Sequence, residues 1–398
     1  LQFLFVGKPR DERTRESTET VNNMVCRATK LVFFIIMFWH TRILAFSTRA
    51  AFSGKNLLIR QLSSSRSIDG RIKFVHRQAA ALSATTDDSD GSSNDTNNEP
   101  ASSSNISNRD DQLVSALSGN GHLKVTACTI RNLVNDVMIQ QCLTATPADA
   151  LARSMASCLL LSNGMQEEQT FQLTLDCDGP IRTVVCIATG AGTVRGYVGN
   201  PQLTNMHISE ALGTKGRVQV VKMHPEWPRP YNGITAMEHG DVDRDIGIYL
   251  AESEQRSCAL AASSVYKGIL CTAAGAYLVE QLPGCTDETT STVEANLAQL
   301  VKDASDSNSG KEAPLPAGLL EQGCTPYNIC ERILQGLDMQ IQTTTTPKLE
   351  CHCSEDRLFR AVRLLPRSEV DAILREEKCI EARCDFCGKV YRMDAEQV

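Results

Sequence analysis

Long apolar runs, an excess of positive charge and the short motifs of common enzymes are all missing from this sequence. The longest strongly apolar run, LVFFIIMFW at residues 31–39, is well short of the roughly 20 residues that a spanning helix needs. The processed chain is therefore expected to be soluble, with no membrane partner. Lys and Arg number 40 against 47 Asp and Glu, a net charge of −7. A general nucleic-acid binder needs a basic face to displace counterions from phosphates, so no nucleic-acid partner is expected. Cysteine is present but sparse: 16 in 398 residues, about 4 %, against roughly 8–10 % in a disulfide scaffold. A chain of this length holds two or three domains and can build a true core without bridges. Catalytic signatures are absent too. Gly190-Ala-Gly192-Thr-Val-Arg195 places arginine where a dinucleotide loop needs its third glycine. There is no Walker lysine motif and no GxSxG. His207, His224 and His239 are scattered and read as surface or loop residues. The expectation is a protein that is not an enzyme, with no catalytic residues.

The first 109 residues read as an address and a spacer. From Met24, Arg27 and Lys30 precede the apolar run, and small residues follow near Ala45, the pattern of a signal peptide. Residues 47–83 are rich in Arg, Lys and Ser with Asp69 as the single acid, which is transit-peptide composition. Together they suggest a bipartite presequence to a plastid, the alternatives being a mitochondrion or, if the N-terminus is mis-assigned, the cytoplasm. Residues 83–111 are Ser, Asp and Asn with almost nothing apolar, a predicted disordered spacer.

Residues 110–285 carry a mixed pattern. A strand is predicted over 122–130 and a helix over 147–161 that stops at Asn163-Gly164. A meander follows over 171–175, 181–188 and 194–198, turning at Asp178-Gly179-Pro180. Further strands are predicted over 217–223, 233–238 and 271–278, with a helix over 241–252. Strands and helices mix without βαβ alternation, so the class is α+β. Most cysteines here, Cys128, Cys142, Cys158, Cys177, Cys186, Cys258 and Cys271, lie in apolar runs and read as core filling. Residues 286–350 form a linker with short predicted helices over 293–301 and 327–337, a polar stretch at 305–310 and four threonines before Pro347. It reads as a marginal element that needs a partner surface to stay folded.

Residues 351–398 are different. Cys351-His-Cys353 and Cys384-Asp-Phe-Cys387 are separated by the 30 residues 354–383. Two close thiolate pairs suit one tetrahedral Zn²⁺, and a domain of about 48 residues usually needs such a staple. Cys387-Gly388 has the form of a zinc knuckle. Between the pairs, Leu358, Val362 and Leu365 form a helical stripe, and Ser368 with Asp371 suggests a capping box opening a helix over 369–376. His352 reads as exposed rather than as a fifth ligand, and Cys379 as a bystander or a resolving thiol. No open coordination position is evident, so the site is expected to be closed. Oxidants attack such thiolates, and in a small domain loss of the metal is loss of the fold.

These residues carry a family resemblance. CHCSEDR at 351–357 and CDFCGKVY at 384–391 resemble the zinc domain of the redox-regulated 33 kDa heat-shock chaperones, the HslO family. Asp178-Gly-Pro180, Val194-Arg-Gly-Tyr-Val198 with Pro201, Tyr231-Asn-Gly233 and Ser253-Glu-Gln255 match that family's recurring motifs in order. The resemblance implies a chaperone core, a metastable linker and a zinc-binding switch domain. It implies an ATP-independent holdase, inactive when reduced and zinc-bound. Oxidation would join Cys351 to Cys353 and Cys384 to Cys387, release zinc, unfold the linker and expose surface for unfolded clients. The oxidised form would be a homodimer. Cys177 departs from the family, which often has glycine there. Two other readings stay open: a static zinc-ribbon interaction module, with Arg357, Arg360 and Arg363 as a local basic face, and a thiol–disulfide oxidoreductase using Cys384 and Cys387.

Overall fold

The computed structural model describes residues 3–5, 110–306, 315–377, 379–394 and 396. The expected presequence and spacer, apart from strand β1 (Phe3–Phe5), and most of the polar stretch at 305–310 lie outside the described residues.

Two sheets and a helix between them make the centre. Strands β2 (Leu113–Leu117), β3 (Leu123–Thr129), β9 (Cys258–Lys267), β10 (Leu270–Gln281) and β11 (Gln340–Thr345) form a five-stranded sheet in the order β11-β2-β3-β10-β9. Strands β4 (Thr170–Cys177), β5 (Thr183–Thr189), β6 (Thr193–Val198), β7 (Gly216–Met223), β8 (Tyr231–Met237) and β12 (Lys348–Leu349) form a six-stranded sheet in the order β12-β6-β5-β4-β7-β8. Helix α1 (Arg131–Gln141) follows β3, and α2 (Ala145–Ser162) then runs between the sheets. Burial of Leu151, Met155 and Leu159 against Phe171, Leu173 and Leu278 drives this packing. Full burial of such side chains stabilises by about 1.5–3 kcal/mol each. Ala150, Ala152, Ser154 and Ala156 are small, so both sheets approach the helix closely. Helices α3 (Ile208–Leu212) and α4 (Val242–Glu252) complete this core. Mixed strands and helices without parallel βαβ units confirm the α+β class.

The free face of the five-stranded sheet is covered by the segment read as a linker. Helices α5 (Asp287–Asp306), α6 (Ala317–Glu321) and α7 (Pro326–Ile333) lay Val293, Leu297, Leu300, Leu319, Ile329 and Ile333 over Val125, Ala127, Tyr277 and Val279. The predicted need for a partner surface is met by this face. Helix α5 is longer than the 293–301 read from apolar spacing. Asp287 and Glu288 in its first turn complement the helix dipole, and the Thr289 amide donates to Thr286 Oγ1 at 3.3 Å. The four threonines were read without secondary structure, yet Thr343, Thr344 and Thr345 lie in β11, antiparallel to β2.

Helices α8 (Glu355–Val362) and α9 (Arg367–Glu377) and the hairpin β13 (Cys379–Cys384) and β14 (Val390–Asp394) follow, with β1 beside β13. The Ser368 capping box is not formed. The helix begins at Arg367, the Val370 amide donates to the Pro366 carbonyl, and Asp371 pairs with Arg367 at 3.4 Å.

Asp111 sits beneath α1, its carboxylate accepting from the Leu133 amide at 2.8 Å and the Asn132 amide at 3.2 Å. Burial pushes its pKa up to about 6, against the lowering pull of those two donors. The folded state therefore holds this proton more tightly than the unfolded chain, whose value is about 3.9. The stability it contributes is full below that value and is lost as pH rises through about 6. Urea unfolding at pH 4.5 and 7 is expected to show that stability difference shrink when Asp111→Asn replaces the wild type.

Candidate metal centre

Each cysteine pair is delivered by a different local device. Cys351 follows β12 by two residues and Cys353 precedes α8, whose N-cap Ser354 accepts from the Arg357 amide. Cys384 ends β13. The turn to β14 is closed by the Gly388 amide donating to the Cys384 carbonyl at 2.8 Å and the Cys384 amide to the Lys389 carbonyl at 2.9 Å. Gly388 has φ +70°, so the predicted knuckle glycine is in the left-handed region. A β-carbon there would also lie 2.3 Å from the Gln140 carbonyl of α1.

The four predicted sulfurs converge, all lying within 4.8 Å of one another. Cys351 Sγ is 3.7 Å from Cys384 Sγ, and Cys353 Sγ is 3.4 Å from Cys387 Sγ. Zinc–sulfur bonds of about 2.3 Å in a tetrahedron require sulfurs about 3.8 Å apart. The donor set and its spacing thus fit a single zinc ion. Among the described residues no carboxylate or imidazole joins the cluster. His352 is turned out, 3.6 Å from Glu350. Cys379 is at the far end of β13 and takes no part. Burial pushes the Cys384 thiol up, and that of Cys387 up to about 11. Burial also opposes ionisation of Cys353, but the Tyr391 hydroxyl donating at 3.1 Å and the neighbouring thiols outweigh it and hold this pKa below its ordinary value.

The knuckle rests on the core. Phe386, between Cys384 and Cys387, meets Tyr197 of β6 edge-on, ring centroids 5.1 Å apart, and the Arg195 guanidinium lies 5.3 Å from its centroid. Gln141 of α1 donates to the Phe386 carbonyl at 2.8 Å and the Gly196 carbonyl at 2.7 Å. Arg383 donates to the Gln140 carbonyl at 3.0 Å. A β-carbon at Gly196 would lie 2.8 Å from both Cys186 Sγ and Leu151 Cδ1, so a larger residue there would displace buried side chains.

The sequence model described as Hsp33 protein matches residues 111–394. The chain belongs to the Hsp33 family. Similar relatives include the 33 kDa chaperonin of Limosilactobacillus fermentum, 31 % identical over 299 residues, covering 73 % of this chain and 97 % of that protein. The 33 kDa chaperonin of Listeria monocytogenes is 30 % identical over 303 residues, with 72 % and 97 % covered. The fold is similar to that of the Thermotoga maritima 33 kDa chaperonin crystal structure, TM-score 0.64 at 22 % identity, covering 73 % of this chain and 96 % of that one.

Several motifs by which the Hsp33 resemblance was read converge in space. Val194–Val198 carries Arg195 and Tyr197 to the knuckle. Gly233 leaves room for Tyr249 and Ser253, and Lys222 pairs with Glu254 at 2.6 Å, so the Tyr231-Asn-Gly233 and Ser253-Glu-Gln255 motifs share one corner. The three histidines have local roles. His207 accepts from the Ser209 amide, His239 pairs with buried Asp245, and His224 stacks near Trp227. Cys128, Cys158, Cys186, Cys258 and Cys271 are buried as core filling predicts; Cys177 is half-buried. Cys142 departs, because it ends α1 in a left-handed turn with φ 55° and is exposed.

Sequence reasoning did not find Gln140, Gln141, Arg195 or Tyr197 as partners of the knuckle. An aromatic pair adds about 0.5–1.5 kcal/mol and a cation–π contact about 0.5–1. In Phe386→Ala, zinc transfer to a chelator from the reduced, metal-loaded chain is expected to be roughly tenfold faster. A metallochromic indicator reads this; an unchanged rate means that the core contact does not guard the site.

Proposed function

We propose that the chain is an ATP-independent holdase, switched on by oxidation of its cysteine centre. The convergence of the four sulfurs on a knuckle docked against an Hsp33 core supports this reading most directly. The name chaperonin carried by its relatives supports client binding. In the reduced state Cys351, Cys353, Cys384 and Cys387 bind one Zn²⁺, and the protein is inactive. Two equivalents of a peroxide each take two electrons from one thiol pair. Two S–S bonds form as each peroxide O–O bond breaks and its oxygens leave as water, the four protons coming from the thiols or, where the sulfurs are thiolates on the metal, from solvent. The oxidised sulfurs would then no longer hold Zn²⁺. The bridges proposed are Cys351–Cys353 and Cys384–Cys387. The first spans a single residue and is strained, which keeps it reducible.

Loss of the metal removes the folding energy of the small domain. Its own apolar cluster is Leu358, Val362, Val370, Ile380, Ala382, Tyr391 and Met393, too little to hold it alone. Residues 286–350 then detach, and the sheet face bearing Val125, Ala127, Tyr277 and Val279 is open to unfolded proteins. The oxidised form is proposed to dimerise through such apolar surface. The basic, serine-rich N-terminal segment supports delivery to an organelle, a plastid before a mitochondrion; mass spectrometry of the mature N-terminus distinguishes both from an unprocessed cytoplasmic chain.

Peroxide with mild heat is expected to release about one zinc per chain and to suppress aggregation of a denatured client without ATP. Cys384→Ser/Cys387→Ser should abolish the response. A double variant that responds like wild type would remove the switch. Reduction of insulin by the native chain would favour the oxidoreductase reading, and salt-dependent RNA binding by the reduced chain the static module.

A further inference from the structure

Residues 340–349 cross from one sheet to the other as a strap. β11 adds to the edge of the five-stranded sheet beside β2, and β12 adds in parallel to the edge of the six-stranded sheet beside β6. We infer that this strap is a displaceable occupant, and that the β2 and β6 edges beneath it are where an extended apolar segment of an unfolded polypeptide adds as a strand. The inference rests on the holdase reading and supplies its client-binding site.

β11 is held almost wholly by its main chain, whereas at the other end of the strap Pro347 is buried and Leu349 packs half-buried against the core. All six residues of β11 are exposed, including Ile341 at 41 %, and their pairing slips at a bulge between Ile341 and Thr343. At β12 the Lys348 amide donates to the Gly192 carbonyl at 3.1 Å and the Glu350 amide to the Val194 carbonyl at 3.2 Å. Threonine suits a strand, but in β11 no apolar side chain is anchored.

The edge beneath is of the opposite character. Leu113, Val114 and Ala116 are essentially buried, Leu113 belonging to the core on one side of the sheet and Val114 and Ala116 to the cluster on the other. An edge strand flanked by apolar surface on both faces is a template for pairing, and folded proteins cover such edges. The strap is that cover. A segment with Val, Ile or Leu in place of the threonines makes the same ladder and sets apolar side chains opposite Val114 and Leu113 across the strand pair, the logic of strand addition.

Both ends of the strap are tied to elements that the proposed switch releases. On one side it follows α7 and Leu337, whose carbonyl accepts from the Gly119 amide at 2.7 Å. On the other, Cys351 comes two residues after β12. The remainder of the β6 edge is closed by Phe386 of the knuckle, set edge-on to Tyr197, and by Gln141 of α1, which donates to the Gly196 carbonyl. Release of the metal thus loosens the cover of both edges at once. The occupant is identified by its chemistry as an extended, uncharged, apolar chain; a folded protein has no free strand to offer.

The test uses the full-length chain, reduced or peroxide-treated, and two labelled peptides: residues 340–349 themselves (QIQTTTTPKL) and a version with valine at positions 343 to 345. Fluorescence anisotropy should show both binding the oxidised chain, the valine version at least several-fold tighter, and neither binding the reduced chain. Either should lower protection of a denatured client. Hydrogen exchange in the oxidised chain should slow at residues 113–117 or 193–198 when client is added. Client protection that neither peptide reduces, with exchange at both edges unchanged by client, overturns the strap assignment and leaves the holdase reading standing. Absence of any client protection by the oxidised chain removes that reading, and this one with it.

Discussion

Four sulfurs held within 4.8 Å are the constraint on which this structure turns. Bare thiolates at that spacing repel one another, and buried thiols there are costly to ionise. A divalent cation at their centre reverses both effects and becomes the attraction that closes the domain. The domain has little else. Seven buried apolar side chains, two short helices and a hairpin make up its interior. In the proposed switch, loss of the metal would therefore be felt as unfolding of this domain, not as a local adjustment.

Two physical links join the cysteine centre to the rest of the chain. One runs through space: the knuckle residue Phe386 meets Tyr197 of β6 edge-on, and Gln141 cross-links the knuckle carbonyl to that strand. The other runs along the chain from Cys351 through β12 and β11 to the helices over the five-stranded sheet. Those helices bury only one apolar face, and they do so against a sheet that is already complete on its other side. The central helix and the strands β2 to β10 share a core of their own, to which β11 and β12 add only at the sheet edges. This asymmetry supports the proposed switch, in which the active state would be partly unfolded.

Much of this was legible in the sequence, for identifiable reasons. In the meander from β4 to β6, β4 alternates cleanly, β5 is a continuous apolar run, and turn residues separate the strands. The thiol pairs announce a metal by spacing alone, and Gly388 by its position after Cys387. Other elements carry no such signal. Strand β9, with its run of Ala and Ser, lacks contrast between faces because both faces are buried. Strand β11 has a pattern of uniform polarity; its place is set by the β2 edge it covers. Helix α1 mixes Asn, Asp and Gln with its apolar residues, and its start is held by Asp111 from an earlier segment. The meeting of Phe386 with Tyr197 joins residues 189 positions apart. Nothing in either local sequence specifies the other, and only the assembled fold brings them together.

The central claim is that the state of the sulfurs governs the outer layer while leaving the inner core intact. Simultaneous measurement of zinc release and hydrogen exchange during one peroxide time course tests it most directly. The account predicts that exchange across residues 287–349 rises with the same time constant as zinc release, while β4, β5 and α2 stay protected. Complete release of zinc with residues 287–349 still protected would contradict it.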